Sequence, residues 1–226
     1  MLVYNGLMAR SHIFAPGEYY HLYSRGVEKR VIFLDNDDYK RFIKILFFCN
    51  GSKPVVIRDL SVGLTFGKYI NKRGEILVDI GAYCLMPNHF HLLVRERNEK
   101  GISLFMQKLI TAYTMYFNDK YGRKGRLFES SYKSIHAADD RYLKYLFAYI
   151  HLNPVKLIDS EWKENGIKNL EEAKKYLNSY AFSSFADYAG RDRDSALILT
   201  KQEFPEYFPT PDMFLASIFG WISTEV

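Results

Sequence analysis

The chain has 226 residues, of which 48% are hydrophobic and 16% aromatic, with 18 Tyr and 17 Phe. That is ample material for a packed core and excludes a disordered chain. The net charge of +5 is unevenly spread: residues 1–155 carry 23 Lys and Arg against 14 Asp and Glu, and residues 156–226 carry 8 against 12. A basic domain over 1–155 with an acidic extension over 156–226 points to a nucleic-acid partner, the plainer alternative being a well-solvated basic surface. The strongest apolar run, 45-ILFFC-49, is far too short to span a bilayer. No secretory leader is visible, and the two cysteines, Cys49 and Cys84, lie in apolar surroundings like reduced core residues. The expected setting is cytoplasmic, without a membrane.

In chain order, 19-YYHLYSRG-26 alternates and ends in Gly, which predicts a strand. The segment 35-DNDDYKRFIKILFFC-49 opens on acidic cap residues and continues at helical spacing. Residues 50–75, rich in Gly and Lys, read as an irregular insertion with two short strands. A strand follows over 76–86. Pro87-Asn88 signals a turn, and 89-HFHLLVRE-96 returns antiparallel. A second helix is expected over 103–122 with Ser103 as its N-cap. The stretch 123–137 is basic and ends in a strand. A third helix, 139-DDRYLKYLFAYIHLN-153, stops at Pro154. Beyond it, 161–190 reads as partly helical, 204-FPEYFPTP-211 as extended, and 212–222 as a last helix. The order β-α-β-β-α-β-α gives an α+β fold: a ferredoxin-like antiparallel sheet with helices on one face, the third helix after the last strand, and a mostly helical extension.

The chemistry concentrates in 86-MPNHFHLLV-94. Residues i and i+2 of a strand share a face, so His89 and His91 project together while Phe90, Leu92 and Val94 turn towards the helices. Two neutral imidazoles can share one metal ion but do not complete a site. The third helix offers more. Tyr149 and Asn153 are four residues apart, hence on one side of that helix. Asn153 precedes the proline, and its amide oxygen is a hard donor that suits Mg²⁺ or Mn²⁺. A phenol beside a metal that polarises a phosphate can attack phosphorus, and a covalent phosphotyrosine conserves the energy of the broken bond. Each signal has an ordinary explanation: a histidine pair in a core, a helical tyrosine stripe that includes Tyr142 and Tyr145, or an asparagine that ends a helix. His12, His21, His136 and His151 look isolated. The combination, together with the basic charge, is what points to transesterification of a phosphodiester.

These residues resemble a known family. The block 86-MPNHFHLLV-94 is similar to the His-hydrophobe-His motif of the HUH single-tyrosine transposases, and 149-YIHLNPVK-156 to the nucleophile helix of the REP-associated tyrosine transposase branch. Further blocks at 20–42, 113–134 and 178–190 agree, so the resemblance spans roughly residues 10 to 190. It implies a divalent metal, Mg²⁺ or Mn²⁺, held by His89, His91 and Asn153, with Tyr149 as nucleophile. It also implies single-stranded, hairpin-forming DNA cut to a 5′-phosphotyrosine and a free 3′-OH, by a monomer or by a homodimer. On charge alone, Arg25, Lys120, Arg123, Lys124, Arg126 and Lys133 are candidate phosphate contacts. The chain departs from the family at His151, where many members have Glu, and at Ser130-Ser131, where Gly-Arg is common. Two other readings are a non-catalytic single-stranded nucleic-acid-binding protein on the same sheet and a metal-dependent small-molecule hydrolase. The intact set of four residues argues against the first, and the unexplained basic charge against the second.

Overall fold

The computed structural model describes residues 14–54 and 65–224. Four strands, β1 (Tyr19–Arg25), β2 (Val78–Met86), β3 (His89–Glu96) and β4 (Lys133–His136), form one sheet in the order β2-β3-β1-β4, with every neighbouring pair antiparallel. Helices α1 (Asn36–Cys49) and α2 (Gly101–Lys120) cover one face. Their cluster includes Phe42, Ile45, Phe105 and Leu109 packed on Leu22, Phe90, Leu92 and Val94. The opposite face carries His21, Tyr23 and Arg25 of β1 beside His89 and His91 of β3, with Tyr23 opposite His91 and Arg25 opposite His89. Helix α3 (Asp140–Leu152) packs on this second face through Leu143, Leu146, Phe147 and Ile150, against Ala82, Cys84 and Leu93. The expected ferredoxin-like layer is present, and the helix after the last strand closes over the face that α1 and α2 leave open.

The caps explain the helix limits. Asp35 accepts hydrogen bonds from the Asp37 and Asp38 amides at 3.0 Å, and Asp139 accepts one from Tyr142 at 2.8 Å. Each such cap contributes about 1 kcal/mol. Helix α2 departs from expectation: it begins at Gly101, so Ser103 lies inside its first turn. The reason is local. Lys100 turns the chain in a left-handed conformation, and a Cβ on Gly101 would lie 2.4 Å from the Leu77 carbonyl oxygen. The buried Glu96 carboxylate then accepts the Ile102 amide at 2.7 Å, doing from the end of β3 what Ser103 was expected to do. The expected strands of the 50–75 insertion are absent among the described residues; these form turns and a 3-10 segment, Phe66–Tyr69, and residues 55–64 lie outside the description.

The extension contains α4 (Trp162–Asn165), α5 (Leu170–Ser179), α6 (Phe185–Tyr188) and α7 (Pro211–Thr224). It attends to an edge. Strand β2 is one of the two outer strands, and an unpaired edge exposes backbone donors and acceptors. Here Leu85 N–H donates to the Phe182 carbonyl, Tyr83 N–H to Ser184 Oγ and Ile80 N–H to Thr200 Oγ1, at 2.9–3.0 Å. Tyr188 Oη donates to the Gly81 carbonyl at 2.8 Å. One hydrophobic cluster therefore joins residues on both sides of position 155: Leu146, Phe147 and Ile150 with Leu177, Phe185 and Phe214. No helix among the described residues is long and apolar enough to cross a membrane.

Candidate active site

The second face of the sheet and α3 enclose a cleft of about 780 Å³. Its floor is strand: His21, Tyr23 and Arg25 from β1, and His89 and His91 from β3. Its wall is α3 and the turn after it, with Tyr142, Tyr145, Tyr149 and Asn153. The period-2 rule and the i, i+4 rule thus converge. The His89 and His91 rings stand perpendicular with centroids 4.9 Å apart, and the Tyr149 ring meets His91 edge-on at 5.5 Å. All four predicted side chains line one cleft of one chain, although about sixty residues separate β3 from Asn153.

Both histidines have partners at Nδ1. His89 Nδ1 lies 2.6 Å from Asn88 Oδ1, and His91 Nδ1 lies 2.9 Å from His21 Nε2. Asn88 also donates its amide to the Lys29 carbonyl at 3.1 Å, so the turn residue ties His89 to the β1 loop. Burial holds His21 and His89 down to about 4, and His91 lies well below its ordinary value for the same reason, aided by its two histidine neighbours. All three are neutral at pH 7, the form that binds a cation. Asn153 donates its amide to the Tyr149 carbonyl at 2.7 Å, which leaves its oxygen as the end not engaged by the helix. Two neutral imidazoles and one amide oxygen fit a divalent cation whose remaining positions are taken by water or phosphate oxygens. Among the described residues no group of three or more His, Cys, Asp or Glu could hold a metal ion.

The Tyr149 phenol is half-buried, and burial raises its pKa. A hydrogen bond with the Asn153 side chain and the charges of Lys156 and Arg25 act the other way. Lys163, from α4, sits with Nζ 4.1 Å from the centre of the Tyr149 ring. Arg25, Lys29, Lys133, Lys156 and Lys163 all line the cleft. Of the candidate phosphate contacts, Arg25 and Lys133 are therefore at the site. Lys120 is paired with Asp35 and Asp38, Arg123 donates to Asn118, and Arg126 donates to the Glu129 carbonyl; Lys124 is exposed.

Sequence reasoning missed Lys29, Lys156, Lys163, Asn88 and His21. His21 was legible: it alternates with Tyr23 and Arg25, the same pattern that placed His89 with His91. Only the strand register, which aligns β1 with β3, shows that the two pairs share a face. Nor are His136 and His151 isolated. His136 pairs with Glu18 at 2.7 Å, and His151 lies fully buried, 2.7 Å from Ser184 Oγ.

The architecture is an α+β sheet whose open face sets a histidine pair opposite a helical tyrosine. More particularly, residues 43–153 match the model of the IS200-like transposase family, a range that includes His89, His91, Tyr149 and Asn153. In fold the protein is similar to a REP-associated tyrosine transposase solved with a REP hairpin bound, at TM-score 0.52 and 15% identity, over 82% of this chain and 87% of that one. A looser likeness, TM-score 0.36 and 13% identity over 92% and 86%, is to tRNA(His) guanylyltransferase from Saccharomyces cerevisiae, too slight to bear on fold or function. No curated protein matches the chain.

Proposed function

We propose that the protein cleaves and rejoins single-stranded DNA, with Tyr149 as the nucleophile. The observation that carries this reading is the convergence of Tyr149, Asn153, His89 and His91 on one cleft rimmed by five cations. His89, His91 and Asn153 would hold Mg²⁺ or Mn²⁺, whose chemistry is to polarise a phosphate oxygen and relieve its charge. Tyr149 Oη attacks the phosphorus, its proton passing to solvent. The bond to the 3′ oxygen breaks, and that oxygen leaves as a 3′-OH after protonation. The product is a 5′-phosphotyrosine, and attack on it by a 3′-OH reverses the balance and rejoins a strand. Arg25, Lys133 and Lys156 are placed to bind backbone phosphates. Hairpin DNA is the favoured partner, since the REP-associated relative was solved with one. The four residues come from one chain, so the reading requires no second copy.

The test is a labelled single-stranded hairpin oligonucleotide incubated with protein and Mg²⁺ or Mn²⁺, then resolved under denaturing conditions. A covalent adduct is expected that needs metal, disappears in Tyr149→Phe, and persists in Tyr142→Phe and Tyr145→Phe. An adduct that survives Tyr149→Phe, or one indifferent to chelator, overturns the proposal. DNA binding without any adduct favours the non-catalytic binding protein.

A further inference from the structure

We infer that His21 is the positioning residue that sets the tautomer of His91, and that it does so as a hydrogen-bond acceptor. The inference rests on the reading of His91 as a metal ligand, but its core is a statement about one shared hydrogen. His21 and His91 are both buried, their rings stack at 5.0 Å with 25° between planes, and His21 Nε2 lies 2.9 Å from His91 Nδ1. Two neutral imidazoles at this distance share one hydrogen, so one nitrogen donates and the other accepts. If His21 donates, His91 carries its own hydrogen on Nε2 and has no lone pair to offer the cleft. If His91 donates, its Nε2 lone pair is free.

Two observations select the second arrangement. Arg25, Lys156 and Lys163 line the same cleft as His91. A lone pair directed into that positive surround is favoured over an N–H dipole, whichever ion is present. The neighbouring ligand is built on the same plan: His89 Nδ1 lies 2.6 Å from Asn88 Oδ1, and an amide oxygen only accepts, so His89 carries its hydrogen on Nδ1. Both ligands are then fixed with Nε2 unprotonated, one by Asn88 and one by His21. His21 also stands edge-on to the Tyr149 ring at 5.7 Å, so the residue that orients the ligand supports the nucleophile as well. Partners of this kind fix ligand orientation, and their loss weakens metal binding by about 10- to 100-fold.

The experiment has a spectroscopic arm and a binding arm. Long-range ¹H–¹⁵N spectra of the metal-free wild type near neutral pH should show His91 protonated on Nδ1 with Nε2 bare. His21→Leu should lose that pattern, and Mn²⁺ affinity, followed by the free-ion electron paramagnetic resonance signal, should fall by about 10- to 100-fold. His21→Gln, whose amide oxygen can accept the same hydrogen, should restore most of the affinity. Thermal melts identify a variant that has failed to fold, and the wild-type spectrum needs no variant at all. A wild-type His91 protonated on Nε2 overturns the inference, as does an unchanged Mn²⁺ affinity in folded His21→Leu. If the wild type binds no Mn²⁺, the metal reading of the site falls, and the His91 spectrum alone decides the hydrogen bond.

Discussion

Replacing Lys120 by Ala should cost stability rather than DNA affinity. Its ammonium lies 2.8 Å from both Asp35 and Asp38 and beside the Tyr116 and Tyr121 rings. The Asp38 side chain is fully buried. Removing one partner of a buried pair costs roughly 3–5 kcal/mol because the other charge is left behind. Two facts reduce that figure here. Lys120 is 29% exposed, and Asp38 keeps hydrogen bonds from Tyr116 Oη, Tyr121 Oη and the Leu34 amide at 2.8–2.9 Å. A loss of about 2 kcal/mol is the expected size, equivalent to a melting temperature lower by about 4–8 °C for a chain of this length. The Lys120 hydrogen bond also holds the Asp35 carboxyl below its usual range. A depressed carboxylate stabilises above its unfolded pKa, so the difference between wild type and variant should shrink as the pH falls through the carboxylate range. The assay pairs thermal melts with hairpin-DNA titrations at several salt concentrations, well below the melt. Lys120→Ala should leave DNA affinity within about twofold, while Lys133→Ala, at the cleft, should weaken it and lower the salt slope by about one. A Lys120→Ala protein that melts like wild type but loses DNA affinity refutes the reasoning.

Acid should destabilise the fold before the carboxylates titrate. His151 is held to about 3 by burial and His21 to about 4, against 6.5 for an ordinary histidine. The unfolded chain takes up these protons first, so stability is full above 6.5 and falls with pH below it, by up to about 1.4 kcal/mol per unit per histidine. A melting temperature that stays flat from pH 7 to pH 5 contradicts the buried neutral assignment. Gly81→Ala should destabilise by about 1–3 kcal/mol, since the new Cβ would lie 2.7 Å from the Phe204 ring; Phe204→Leu in the same chain should recover part of the loss in chemical denaturation. Lys163→Met removes the cation over the Tyr149 ring, worth about 0.5–1 kcal/mol, and should slow adduct formation about two- to fivefold in quenched time courses, with Lys163→Arg close to wild type. Equal rates in all three proteins would separate Lys163 from the nucleophile.

The legibility of this molecule follows the range of the forces involved. Asp35 and Asp139 announce their helices because a cap acts within three residues. The His89–His91 face is legible because strand alternation acts within two, and the Tyr149–Asn153 face because a helix turn acts within four. The start of α2 was misplaced because its cap comes from Glu96, and because Gly101 is pressed against Leu77, a contact 24 residues away in sequence. The same division runs through the site. Its ligand and nucleophile candidates belong to two local motifs, while the groups set against them, His21 beside His91 and Lys163 over Tyr149, arrive through sheet register and through the packing of the extension. Lys163 makes the point most strongly. It belongs to the acidic segment, where a count of charges has least reason to look for a cation that matters. It reaches the cleft because the chain beyond Val155 stays on the same face, turning through Trp162–Asn165 before Tyr180, Ser184 and Thr200 take up the open edge of β2. A segment that satisfies the backbone of an edge strand is thereby fixed against the cleft wall, and one of its lysines lies over the Tyr149 ring. Covering the edge and completing the cleft are consequences of the same packing, so truncation after Val155 should impair both together.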